Sequence, residues 1–289
     1  MALVDYNKII KDTVQKIDIK TNFPKYTNIL LSGGGLSSFY HISILNYLDE
    51  LIKENKIKTK INKIYGVSGG ALMGALYLSG VDINVFSKEY NEIRATKQGT
   101  VLTDIAREMM MKHIPDDSHI KCSGRLTIFV YEIESYKSHV RRIINTYDSK
   151  DELINIVLAS CTISYLTHNK YTFDYKGKSY FDGIDIDMKL VNDSSELYEN
   201  LDGNITDKSM IGNLMIDLEF LEYKQKLKYT FSDECIDSLL IKSIFDFSAF
   251  IEGKQIKTIK FLNPNEVYSG HTLYYKVVIW TMGYIFGAK

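Results

Sequence analysis

The chain has 289 residues, 45% of them hydrophobic and 25% charged, with a formal net charge of −1. That length holds one large domain or two small ones, the composition is ordinary for a soluble globular protein, and the charge balance leaves no basic footprint for nucleic acid. Three cysteines, Cys122, Cys161 and Cys235, lie far apart and form no C-x-x-C pair. An odd, scattered set argues against a disulfide framework and for a reducing compartment.

The N-terminus, MALVDYNKIIKDTVQ, lacks the basic-then-apolar run of a secretory leader, so a cytoplasmic protein is expected. TNILLS (27–32) reads as a short apolar strand, with Gly33, Gly34 and Gly35 directly after it. Residues 37–55 then place Phe39, Ile42, Leu45 and Leu48 at helical spacing, with Ile44, Leu51 and Ile52 widening the stripe. INKIYG (61–66) is a second strand, and GALMGALYLSG (70–80) a helix stopped at Gly80. Residues 99–117 carry Val101, Leu102, Ile105, Met109 and Met110 at helical spacing, either a core-packed helix or a Met-rich lid. RLTIFVYEIES (125–135) and HVRRIINTY (139–147) read as a strand pair, DELINIVLAS (151–160) as a helix, and GKSYFDG (177–183) as a short strand ending in an acid and a glycine.

A strand, a glycine-rich turn and a helix, twice over, imply parallel strands with crossover helices and a sheet covered on both faces. Residues 213–227 and 235–253 read as helices packed against the same sheet. The expectation is a single α/β domain with a mostly parallel central sheet, a motif-bearing core over about 25–192, and an additional C-terminal helical part over 193–289 packed on it. The apolar run Val277–Ala288 is shorter than the roughly 18–20 residues of a spanning helix. It reads as a terminal element docked on the core, or as an interfacial anchor with Trp280, Tyr284 and Phe286 at headgroup level and Lys276 snorkelling.

Three short stretches carry chemistry. In GVSGG (66–70), Gly66 and Gly70 flank Ser68 in the Gly-x-Ser-x-Gly pattern of a nucleophile on a strained strand-to-helix turn. Its place at a helix N-terminus favours developing negative charge. SGGG (32–35) is neither a P-loop nor a dinucleotide fingerprint. It suits an oxyanion hole, because consecutive glycines turn their N–H groups into one concavity with no side chain in the way. The proton acceptor is less obvious. Of the six histidines only His168 and His271 follow Ser68 at a place an α/β-hydrolase order allows, and His271, in a loop-like stretch, is the better candidate. His41 reads as a packing or capping residue on the first helix. The other choice is Asp182 in YFDGI, at a strand end just before Gly183. An unperturbed aspartate is a poor base for a hydroxyl; burial beside an apolar substrate and direct contact with Oγ would improve it.

Taken together and in order, GGG (33–35), GVSGG (66–70) and DG (182–183) resemble the patatin-like phospholipases. The helix carrying FYHISILNYLDEL (39–51) and the Ala-Ser segment LASCTISYL (158–166) agree as well, so the resemblance covers about residues 27–190. It implies a Ser–Asp dyad: Ser68 as nucleophile, Asp182 as base, and the backbone of Gly33, Gly34 and Gly35 as oxyanion hole. The implied reaction is hydrolysis of fatty acyl esters of a phospholipid or neutral lipid through an acyl-enzyme, at a membrane or lipid surface and without metal or organic cofactor. Three positions depart from the family's pattern. Ser37 and Ser38 stand where a basic residue and a glycine follow the glycine loop, Ile184 where a second glycine follows Asp-Gly, and Ser164 where a proline follows Ala-Ser. An inactive lipid-binding relative and a Ser68–Asp182–His271 esterase are the alternatives.

Overall fold

The computed structural model describes residues 4–96, 101–135, 138–164, 167–184, 186, 210–218 and 235–262. Eight strands form one sheet. Its centre is parallel: β1 (Tyr26–Leu31) lies between β2 (Lys60–Val67) and β7 (Ile211–Ile216), and β2 continues to β3 (Leu126–Ser135). The additions are antiparallel: β4 (Ser138–Ile144) and β6 (Lys178–Asp182) on β3, β5 (Phe173–Tyr175) on β6, and β8 (Ile259–Leu262) on β7. The fold is α/β with a mixed sheet whose centre is parallel.

The central strands carry short apolar runs, Ile29–Leu31, Ile64–Val67, Ile128–Val130 and Leu214–Ile216, because both of their faces are buried there. One face, with Ile29, Leu31, Ile64, Ile128 and Val130, packs into a core shared with α1 (Tyr6–Lys16), α2 (Phe39–Lys53), α3 (Gly69–Leu78), α7 (Lys150–Ser160) and α8 (Cys235–Ile251). The other carries Leu30, Tyr65, Val67, Phe129 and Met215, also buried. Between β2 and β3 run α4 (Ile83–Thr96), α5 (Leu102–His113) and α6 (Ser118–Cys122). Helix α7 starts on a Ser-x-x-Glu cap, with the Ser149 hydroxyl accepting the Glu152 N–H at 3.1 Å.

Two expectations change. Residues 213–227 were expected to be helical, but Asn213–Ile216 belong to strand β7, in register with Asn28–Leu31 of β1. A run this short has no decisive period, and pairing on both edges settles it as a strand. The C-terminal part is therefore not only helical: β7 and β8 extend the sheet, and α8 alone among its described elements is a helix. Helix α5 is core-packed, with Thr103, Ile105, Met109 and Met110 buried. Cys122 and Cys161 are free thiols. No helix among the described residues is long and apolar enough to cross a membrane, and Val277–Ala288 lies outside the described residues.

The start of α3 lies directly on the end of β1. A Cβ on Gly70 would stand 2.7 Å from the Ser32 carbonyl oxygen and closer still to that of Leu31. Gly70→Ala is therefore expected to destabilise by roughly 3 kcal/mol, since the obstacle is strand backbone. Gly34→Ala meets the Leu218 Cδ1 at 2.5 Å, the end of a side chain that can turn, and should cost only about 1 kcal/mol. Urea unfolding midpoints of the two variants check the order.

Candidate active site

Parallel strands deliver their C-terminal ends to one edge of the sheet, the edge where α/β proteins bind ligands. Leu31 of β1 pairs with Gly66 of β2, so the loop Ser32–Gly35 and the turn at Ser68 leave the sheet side by side.

The second feature is unusual. Strands β2 and β6 occupy the same edge of β3, because β4 takes the other. They run toward each other. Val67 of β2 stands opposite Phe129, and Asp182 of β6 opposite Val130. The two strand ends thus meet one residue apart along β3, about 3.3 Å of strand rise. Strand β2 has nowhere to continue, and the chain turns off sharply at Ser68. Asp182, directly opposite Val130, shares that residue's face, on the side of α3 and α7, and Ser68 follows directly on Val67 at the facing strand end. Both are buried, Ser68 to 3% exposure and Asp182 to 2%.

Ser68 has φ 55° and ψ −131°, a left-handed backbone that an L-residue adopts only under constraint. The constraint is visible. Its N–H donates to the Ser160 hydroxyl at 2.8 Å, and that hydroxyl donates to the Phe129 carbonyl at 2.8 Å. Its carbonyl accepts the N–H groups of Ala71 and Leu72, the first turn of α3. Ser160, the last residue of α7, thus ties the elbow to β3. With the Ser68 N–H engaged, the next backbone N–H of the elbow is that of Gly69, the first residue of the helix.

Asp182 is held at both ends. Its N–H donates to Thr162 and its Oδ1 accepts the Ile184 N–H at 2.8 Å. Ile184 has φ 68°, costly for a β-branched residue by about 1–2 kcal/mol. The backbone requirement that a glycine would meet is carried here by an isoleucine. Gly183 lies against the Phe129 main chain, 2.6 Å from its carbonyl carbon to where a Cβ would stand. Burial pushes the Cys161 thiol well up, and the charge of neighbouring Asp182 adds to that.

The glycine loop is anchored from three directions. The Ser32 N–H donates to Ile216 and its hydroxyl accepts the Leu218 N–H at 2.8 Å, both on the β7 side. Its carbonyl accepts from His41 Nε2 at 2.9 Å. Gly35 then turns at φ 54° into a short 3-10 helix, Gly35–Ser38. Ser37 and Ser38 are both buried, so where a basic residue was expected the chain has an interior position.

His41 is fully buried, and burial pushes its pKa down to about 4. It is a neutral imidazole protonated on Nε2, since a carbonyl can only accept. The unfolded chain would take up that proton near pH 6.5 and the folded one only near 4, so the unfolded state binds more protons in between. Stability should fall as pH drops through this window, by up to about 3 kcal/mol from this group. The contribution is measured as the difference in pH dependence of unfolding between the native chain and His41→Phe.

The structure thus brings together Ser68, Asp182 and the loop Gly33–Gly35. His168 pairs its Nδ1 with the Thr103 hydroxyl at 3.1 Å and packs beside Phe173, while His271 lies outside the described residues. The sequence reading singles out neither Gly69 nor Ser160 at the elbow, and takes His41 as a packing or capping residue. The Ala-Ser pattern was the one signal that pointed at Ser160.

An α/β sheet with a strand–turn–helix elbow at the end of its parallel strands defines the class. The Patatin family model, described as patatin-like phospholipase, matches residues 29–188, more than half of the chain. The chain belongs to the patatin-like phospholipase family. Human patatin-like phospholipase domain-containing protein 2 is 28% identical over 145 residues, covering 47% of this chain and 28% of that protein. Human patatin-like phospholipase domain-containing protein 4 is 24% identical over 169 residues, covering 55% of this chain and 64% of that protein. The chain thus spans less than two thirds of the length of these relatives. A chain from the heterodimeric ExoU–SpcU complex of the Pseudomonas aeruginosa type III secretion system aligns at a TM-score of 0.41 and 14% identity, over 83% of this chain and 54% of that one.

Proposed function

We propose that the chain is a lipid acyl hydrolase, of phospholipase A or lysophospholipase type, working through Ser68 and Asp182. What supports this reading is the end-to-end approach of β2 and β6 on β3: constrained Ser68 follows one strand end and buried Asp182 closes the other. In the reaction, Ser68 Oγ attacks the ester carbonyl carbon and its proton passes to Asp182. The carbonyl oxygen becomes an oxyanion, held by N–H groups of the glycine loop and Gly69. Collapse breaks the bond to the alcohol, which leaves with the proton from Asp182. Water then attacks the acyl-enzyme, giving its proton to Asp182, and the acid departs as Ser68 recovers its hydrogen. Protein groups alone complete the cycle.

The substrate is a fatty acyl ester of a phospholipid or neutral lipid at a lipid surface, and the chain is placed in the cytoplasm or peripherally at a membrane. Buried Ser37 and Ser38, in place of the basic residue and the glycine, favour a second reading, a lipid-binding relative without turnover. One experiment separates the two: fluorophosphonate labelling located by peptide mapping, together with fatty-acid release from phospholipid and neutral-lipid vesicles. Labelling at Ser68 with release supports the hydrolase. Vesicle binding with neither labelling nor release supports the lipid-binding relative.

A further inference from the structure

We propose that His41 is a positioning residue for the oxyanion hole, acting through the Ser32–Gly33 peptide; the proposal rests on the hydrolase reading above. Three observations carry it.

The first is the bond itself. His41 sits in the first turn of α2, just past the glycine loop, and its Nε2–H donates to the Ser32 carbonyl at 2.9 Å. That carbonyl and the Gly33 N–H belong to one planar trans peptide and point in opposite directions. Holding the oxygen on α2 therefore aims the first N–H of the glycine loop away from α2. Without the bond the Ser32–Gly33 peptide loses the hydrogen bond that fixes its orientation, and the glycine that follows it offers little resistance to rotation.

The second is that the other anchors of Ser32 leave this peptide unheld. Its N–H and hydroxyl attach it to the β7 side, and both lie on the near side of its Cα. Among the described residues only His41 grips the peptide that contains the Gly33 N–H through a hydrogen bond to the Ser32 carbonyl. The start of α3 crowds the same oxygen, since a Cβ on Gly70 would be 2.7 Å from it.

The third is that the histidine is poorly suited to a purely structural part. It is completely buried, and Nδ1 has no hydrogen-bond partner among the described residues. An orphaned buried acceptor is unfavourable, and an aromatic hydrocarbon would fill the space without it. What an imidazole supplies there and a phenyl ring does not is the Nε2 donor.

The test compares His41→Phe with His41→Gln, whose side-chain amide reaches the place of Nε2. Deleting an oxyanion donor outright lowers kcat by about 10²–10³. A donor misaimed rather than deleted should lower it by roughly 10- to 100-fold in His41→Phe, with KM within about twofold. His41→Gln should recover kcat to within about fivefold of the native chain. Amide hydrogen exchange at Gly33 gives a readout independent of turnover: it should accelerate in His41→Phe and stay near native in His41→Gln. Native kcat in a folded His41→Phe, or unchanged Gly33 exchange, overturns the proposal. Should His41→Phe not fold, His41→Asn replaces it, because its amide lies near the place of Nδ1, short of Ser32, and the same outcomes apply. If the native chain neither labels nor releases fatty acid, the hydrolase reading fails, while Gly33 exchange still decides whether His41 holds the loop.

Discussion

Ser68→Ala is expected to abolish fatty-acid release, a loss on the order of 10⁴-fold or more, with the fold retained. The loss follows from removing the atom that bonds to the acyl carbon; what survives is water attack aided by binding and the oxyanion donors. Retention of the fold follows from where the elbow is held. The bond to Ser160 comes from the Ser68 backbone N–H, and the turn into α3 from its carbonyl, so an alanine keeps both. The left-handed backbone strains alanine much as it strains serine. Thermal unfolding with lipid hydrolysis on the same preparation checks both halves. Activity equal to the native chain's would remove Ser68 from the mechanism.

The second large effect separates a dyad from a triad. Asp182→Asn preserves size and keeps an oxygen to accept the Ile184 N–H, but an amide cannot take a proton from Ser68. A loss of about 10²–10⁴-fold in kcat is expected, the usual weight of a general base. His271→Ala, in the same assay, should retain most of the activity. A collapse in His271→Ala comparable to that of Asp182→Asn would instead make His271 the base and Asp182 its orienting partner, the α/β-hydrolase arrangement.

The head-on approach of β2 and β6 gives these predictions their geometry. Ser68 and Asp182 are 114 positions apart in sequence, yet each ends a strand on the same edge of β3. Strained backbone appears on both sides of the junction, at Ser68 and at Ile184. Such conformations persist only where surrounding contacts over-determine them, here Ser160, Phe129 and the Asp182 carboxylate itself.

Much of the architecture was legible in local pattern. The first two strands, the helices after them, the pair at 125–147 and helix α7 carry periodicity long enough, or turn residues clear enough, to be assigned within a few residues. The segment at 213–216 was not, because a short buried strand and a short buried helix look alike until a neighbour pairs with it. Helices α1 and α4 and strands β5 and β8 also went unassigned; β5 and β8, at three and four residues, are too short to show a period.

The sequence by itself determined the parts of this protein that depend on a residue's own backbone or reactive atom. A serine between glycines, three glycines after a strand and an aspartate before a glycine are local requirements for close approach, open N–H groups and a carboxylate. Only the tertiary structure decided how those parts are aimed. Ser160 reaches Ser68 across 92 positions, Leu218 reaches Ser32 across 186, and His41 grips the Ser32 carbonyl from a neighbouring helix. The first two join groups that come within reach only once the sheet has assembled, and the third needs the glycine loop set against the helix that follows it. No single-residue pattern records them, because a serine or histidine reads the same whether it fills the core or holds a loop.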